Sequence, residues 1–223
     1  MIYLIILIII YITYKIICLF PIKYPKFNFD PSALYCFYGA PGSGKSTLAC
    51  WFARKAMANN ITVYSNMPIK GARQFDKADL GAWCMENCLV LWDEVGVDAN
   101  SRNFKNNFNI NQIKWLKYHR HENAMVMIFS QGFDDMDKII RTLTTTAFVV
   151  KKGLFHTICY KRIAKKPDID EITHKPDDIY SFVPFSTKRI SARSAWKYFD
   201  SFSRLNLPAR DWHIYGEDNQ SSL

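Results

Sequence analysis

The stretch Tyr35–Trp51 reads YCFYGAPGSGKSTLACW. Its centre, Gly39 to Ser46, fits G-x-x-x-x-G-K-[ST], a pattern whose backbone N–H groups cradle nucleotide phosphates. The pattern carries that meaning only between a strand and a helix. Leu34–Tyr38 is a short apolar run rich in aromatic residues, which suits a buried strand. From Ser46 to Ala58 apolar residues recur at helical spacing, at Leu48, Trp51, Phe52 and Ala56. Strand, glycine-rich loop and helix therefore follow in the required order. The loop and the helix N-terminus then face the phosphates. On this reading Gly39, Ala40, Pro41, Gly42, Ser43, Gly44, Lys45, Ser46 and Thr47 bind the nucleotide. Lys45 reaches the β- and γ-phosphates, and the Ser46 hydroxyl is a ligand for Mg²⁺. ATP and Mg²⁺ are the expected cofactors.

The other half of such a site is an acidic residue ending an apolar strand. CLVLWDEVG (Cys88–Gly96) supplies it. Cys88–Trp92 is a continuous apolar run, as in a strand covered on both faces. Asp93 is expected in the Mg²⁺ shell, and Glu94 is expected to activate the attacking water. A further apolar run, Met125–Phe129, ends in Ser130 and Gln131. Ligands of open α/β sheets bind at the carboxyl ends of strands, which places Gln131 to sense the γ-phosphate or the water. Asp135–Leu143 reads as a helix bearing Arg141, and Ala147–Lys151 as a strand. A neighbour's arginine stabilises transition-state charge in many such enzymes. Arg141 is the first choice for that part. Arg120, between His119 and His121, is the second. Both also fit surface ion pairs.

Upstream, MIYLIILIIIYITYKIICLF fills residues 1–20. Twenty helical residues span about 30 Å, the thickness of a hydrocarbon core. The run is apolar all round, unlike a core helix with one polar face. It lacks the basic start and small-residue cleavage site of a signal peptide. A membrane anchor is therefore expected over 1–22. Lys15, Lys23 and Lys26 all lie toward its C-terminal side, so residues 21 onward are expected in the cytoplasm.

The whole chain has 223 residues, 49% apolar and 22% charged, enough for a substantial core and unlike a disordered chain. Its net charge of +9 favours an anionic partner, nucleic acid or anionic lipid. Of six cysteines, Cys36 and Cys50 flank the glycine-rich loop and read as small buried apolar residues. Cys84 and Cys88 have no second Cys/His pair at zinc spacing, so no metal site is expected there.

The order of these pieces resembles the zonular occludens toxin (Zot)-like family of P-loop ATPases, the morphogenesis proteins of filamentous phages. The resemblance spans residues 34–152. It rests on the glycine-rich loop, YSN at 64–66, LVLWDEVG at 89–96, YHRH at 118–121, FSQ at 129–131 and DKIIR at 137–141. It implies an inner-membrane ATPase, a homo-oligomeric ring, that helps extrude single-stranded DNA or nucleoprotein with other phage assembly and channel proteins. Family members often carry their membrane span after the ATPase domain, whereas here it comes first. FtsK/HerA-like genome-packaging or conjugative translocases share this core. A nucleotide-gated membrane adaptor is the non-motor alternative, and Glu94 speaks against it.

Residues 153–223 hold no named motif. His156–Ile163 alternates as a strand would. From 151 to 210 there are 13 Lys and Arg against 6 Asp and Glu. Ala195, Tyr198, Phe199 and Phe202 recur at helical spacing, as a docking helix would place them. Aromatics among basic residues also suit single-stranded nucleic acid. The expected organisation is a membrane anchor over 1–22, an ATPase domain over 31–165 and a basic extension packed on it over 166–223. The expected fold class is α/β: a P-loop NTPase with a largely parallel sheet flanked by helices, preceded by one transmembrane helix.

Overall fold

The computed structural model describes residues 2–19, 25–93, 109–133, 136–153, 156–169, 176–195 and 198. At 14–19, 165–169 and 176–180 only the backbone is described. The central element is β1 (Leu34–Tyr38), whose apolar run pairs in parallel with β5 (Ala124–Ser130) on one side and β6 (Thr146–Lys152) on the other. Beyond β5 come β4 (Cys88–Trp92), β2 (Thr62–Ser65) and the short β3 (Arg73–Gln74), all parallel. Every residue of β4 and β5 is buried, as a strand covered on both faces requires.

The sheet continues antiparallel past β6. β7 (Thr157–Ile169) pairs with β6, and its outer edge is shared by β9 (Lys188–Ser191) at its start and β8 (Pro176–Phe182) at its end. The parallel sheet thus carries an antiparallel ribbon on one flank. β7 passes residue 165 without a break, so the described part of the basic extension joins the same sheet.

Two cores sandwich the sheet. On one face α2 (Lys45–Met57) packs Leu48, Ala49, Trp51, Phe52 and Ala56 against Phe37, Phe129, Phe148 and Tyr160. On the other, α3 (Ile110–Tyr118) and α4 (Lys138–Leu143) bury Trp115, Leu116 and Ile140 against Cys36, Val90, Val126 and Ala147. Helix α4 starts at Lys138, later than the expected Asp135, because the Asp137 carboxylate accepts the Ile139 N–H at 2.7 Å and caps it. In the expected C-terminal docking helix, the described residues make a 3₁₀ turn at Ala192–Ser194 followed by Ala195 and Tyr198, both packed on α2. Phe199 and Phe202 lie outside the described residues.

The N-terminal segment forms α1 (Ile2–Leu19). Its 18 described residues make about 27 Å at the usual rise. Among the described residues no helix is long and apolar enough to cross a membrane. The transmembrane helix expected over 1–22 is thus not borne out: the described helix is Ile2–Leu19, and residues 20–22 lie outside the described residues. Its large apolar residues from Ile2 to Ile12 are 46–83% exposed, and the Thr13 hydroxyl donates back to the Ile9 carbonyl at 2.8 Å.

Candidate nucleotide site

Parallel register brings four strand ends to one edge. Tyr38 lies beside Ser130, Trp92 beside Ile128, and Ser65 beside Leu91. Gly39, Gln131, Asp93 and Asn66, which follow these ends, therefore share the carboxyl edge of the sheet. Because β5 lies between β1 and β4, Gln131 emerges between the glycine-rich loop and Asp93.

The loop is held by its backbone. The Gly39 N–H donates to the Ser130 carbonyl at 3.3 Å, and the Ser43 N–H closes a turn onto the Ala40 carbonyl at 3.1 Å. Gly42 and Gly44 have φ of 74° and 96°, the left-handed region that favours glycine. A Cβ on Gly44 would also meet Ile158 Cδ1 at 2.8 Å, so β7 packs directly under the loop. Pro41 lies in the exposed turn of the loop, while Thr47 is half-buried in the first turn of α2. Helix α2 begins at Lys45 with no side-chain cap. The N–H groups of its first turn are left for an acceptor outside the helix, as an anion site needs.

Lys45 is buried, and its Nζ donates to the Gly39 carbonyl at 2.7 Å and the Ala40 carbonyl at 3.3 Å. The ammonium thus sits inside the curve of the loop. The Ser43 and Ser130 hydroxyls are buried beside it with no hydrogen-bond partner among the described residues. Such orphaned polar groups are rare in a finished core and are what a site awaiting a polar ligand leaves behind.

Asp93 is only 6% exposed, and the Ser46 hydroxyl donates to its Oδ2 at 2.9 Å. Two oxygens at this separation fit neighbouring vertices of an octahedron with bonds of about 2.1 Å, the geometry of Mg²⁺. Ser46 and Asp93 therefore fit the ion expected of them. Its chemistry there would be to neutralise charge on phosphate oxygens.

Asn66, part of the YSN stretch but absent from the expected site residues, proves central. Its Oδ1 accepts the Asp93 N–H at 2.8 Å and its Nδ2 donates to the Asp93 carbonyl at 2.9 Å. The clue in the sequence was its position directly after an apolar strand, the same position held by Asp93 and Gln131.

The other expected residues are distributed as follows. Gln131 is exposed at the carboxyl edge. Glu94 lies outside the described residues. Arg141, on α4, lines a pocket of about 250 Å³ with Thr145, Thr146 and Arg162, at the start of β6. Arg120 is exposed in the 3₁₀ turn His119–Glu122, just before β5 begins. Both arginines therefore lie toward the amino ends of the strands, and neither is brought to the loop of its own chain. His119 is buried, with Nδ1 2.9 Å from the Leu116 carbonyl, and burial holds its pKa below the ordinary histidine value. Cys36 and Cys50 are buried, as expected of them. The exposed Cys84 thiol lies beside the Glu86 and Glu122 carboxylates.

No known family model matches the chain. Among solved structures, it is similar to the N-terminal domain of zonular occludens toxin from Neisseria meningitidis, at 17% identity and a TM-score of 0.50, over 75% of this chain and 99% of that one. The genome packaging NTPase B204 of Sulfolobus turreted icosahedral virus 2, solved with AMPPCP, matches at 12% identity and a TM-score of 0.46, over 67% and 97% of the two chains. The glycine-rich loop thus sits in an α/β fold of the kind seen in the toxin's N-terminal domain.

Proposed function

We propose that the chain is a membrane-attached ATPase that couples ATP hydrolysis to virion assembly and the extrusion of single-stranded DNA. The observation that carries the hydrolase reading is the 2.9 Å bond between Ser46 and Asp93, beside a buried Lys45. It joins the phosphate loop to the acidic strand in one site, although the two are 47 residues apart in sequence. The role of single-stranded DNA rests on the resemblance to phage morphogenesis proteins and on the +9 charge. Membrane attachment through α1 is supported by its exposed Ile and Leu side chains, since apolar surface of that extent marks an interaction site.

In this reading Lys45 and the first-turn N–H groups of α2 bind phosphate. Glu94 follows Asp93 directly and orients the attacking water, and Gln131 reports on the γ-phosphate. A cation for the far side of that phosphate comes from a neighbouring subunit in a ring, with Arg141 first and Arg120 second. Such a finger accounts for about 10³–10⁵ in rate. The test is ATP turnover by the full chain in detergent, with and without single-stranded DNA, repeated with mixtures of Arg141→Ala and Lys45→Ala subunits. Stimulation by DNA and partial recovery in the mixtures are expected. An unstimulated rate would remove the motor. Mixed oligomers that stay inactive with Arg141→Ala but recover with Arg120→Ala would move the finger to Arg120.

A further inference from the structure

The antiparallel flank has a face that the nucleotide site does not use. In antiparallel pairs, directly opposed residues point to the same side of the sheet. Lys151 opposes Cys159 across β6 and β7, and Cys159 opposes Arg189 across β7 and β9. Lys161, two residues on, points the same way, as do Ile163 and its partner Phe182 on β8. The opposite face carries Ile158, Tyr160 and Ile190, which are buried against α2.

This outer face is therefore a short basic row with an aromatic beside it. Lys151 is exposed, and Lys161 and Arg189 are half-exposed. Two strand spacings of about 4.8 Å put the Cα atoms of Lys151 and Arg189 about 10 Å apart. The Lys161 ammonium lies 4.6 Å from the centre of the Phe182 ring, which is 53% exposed. In the β8–β9 turn Phe185 is fully exposed at a φ of 54°. The turn is pinned to β7: the Val183 N–H donates to the Arg162 carbonyl at 3.1 Å, and the Arg162 N–H donates to the Ser186 hydroxyl at 3.2 Å. The acidic residues Asp168, Asp177 and Asp178 pair farther along β7 and β8, past the Phe182 row.

A protein surface normally intersperses both signs of charge and keeps large aromatics scarce. Here cations and exposed rings stand together on a hydrogen-bonded ribbon. Phosphates pair with the first and nucleobases stack on the second, a combination that suits single strands, whose bases are free. A duplex would hide its bases from Phe182 and Phe185. Anionic lipid would match the charges but gives no reason for a ring held under a lysine ammonium on a flat strand.

The geometry points to the β6–β7–β9 face, with Lys151, Lys161, Arg189, Phe182 and the Phe185 turn, as a binding surface for single-stranded nucleic acid. The inference rests on the proposed function for the kind of partner and adds the place where it binds. β6 is the strand beside β1, and its Val150 carbonyl abuts Gly39. The surface is thus built on a strand that touches the phosphate loop.

The test is fluorescence anisotropy of the full chain in detergent with a labelled oligothymidylate, titrated at several salt concentrations. Replacing Lys151, Lys161 and Arg189 together by Gln should weaken binding more than about tenfold at 0.1 M salt. It should also lower the slope of log affinity against log salt by about 2, since each phosphate contact on a single strand contributes about 0.7. Phe182→Ala should weaken binding at least about fivefold with the slope unchanged, because stacking releases no counterions. None of these changes touches the nucleotide site, so ATP turnover without DNA should stay at the wild-type level. If wild type binds the oligonucleotide and the triple variant binds it equally well, this surface is wrong while the proposed function stands. If wild type does not bind, both fail. If the triple variant loses binding to phosphatidylserine vesicles but not to the oligonucleotide, the face is a lipid surface and the nucleic-acid assignment is overturned.

Discussion

Asn66 holds Asp93 by both ends of its backbone, accepting from its N–H at 2.8 Å and donating to its carbonyl at 2.9 Å. The arrangement resembles one rung of a strand ladder made by a side chain. It extends the β2–β4 pairing one residue past the last registered pair, Ser65 with Leu91. Its consequence is that the carboxylate facing Ser46 is aimed by a residue that grips its backbone.

Asn66→Ala removes the bonds that Asn66 makes to the buried N–H and carbonyl of Asp93. An unsatisfied buried group costs about 1–3 kcal/mol. Thermal unfolding should shift down accordingly, and kcat should fall more than KM rises, because phosphate binding by the loop is left intact. Asn66→Asp keeps the bond from the Asp93 N–H, loses the other and sets a second carboxylate beside Asp93. It should recover stability without recovering kcat. Recovery of both, or a KM effect alone, would make Asn66 a mere packing residue.

The glycine at 44 is fixed by two separate constraints, its φ of 96° and the contact with Ile158. Gly44→Ala should therefore destabilise the fold and abolish nucleotide binding. Ile158→Ala in the same chain makes room but cannot relieve the backbone strain, which costs of order 1–3 kcal/mol. Partial recovery of the unfolding midpoint in the double variant, still below that of Ile158→Ala alone, is the expected pattern in differential scanning calorimetry. Full recovery would show that sterics alone dictate the glycine.

Burial lowers the folded pKa of His119 below the ordinary value near 6.5. The unfolded chain then takes up the proton first as pH falls. The stability this contributes is present above about pH 6.5 and is lost as pH drops below that value toward the folded pKa. Urea midpoints of the wild type should decline from pH 7 to pH 5, and His119→Gln should flatten that part of the decline. An unchanged slope in the variant would place the acid sensitivity elsewhere.

What the sequence reveals here follows from how local each signal is. β1 and β4 match the expected ranges because each is a continuous apolar run stopped by a residue the site needs, Gly39 or Asp93. The glycine-rich loop is equally local, since its own spacing encodes its shape. The Asn66 clamp depends on β2 lying beside β4 in one register, a contact between residues 27 apart. The length of β7 was hidden by its composition: Lys166 and Pro167 read as the start of a basic extension, yet they pair with β8 as edge positions that tolerate charge and proline. The short α4 turned on a single cap, Asp137, inside a run that looked helical from Asp135. Periodicity at Ala195 and Tyr198 reported burial correctly, but burial on α2 was reached through a 3₁₀ turn, with the Arg54 guanidinium 5.2 Å from the Tyr198 ring centre.

The proposed hydrolysis of ATP depends on Lys45, seated in the glycine-rich loop. The most direct measurement is phosphate release from Mg·ATP by the purified full chain, wild type against Lys45→Ala, with circular dichroism and thermal unfolding run on both. Among the described residues the Lys45 ammonium bonds the Gly39 and Ala40 carbonyls, so its loss should leave the fold intact. The account predicts steady turnover by the wild type and none above background for the variant at an unchanged helix and sheet content. Equal turnover by a folded Lys45→Ala protein, or a wild type that neither binds nor hydrolyses ATP, would contradict it.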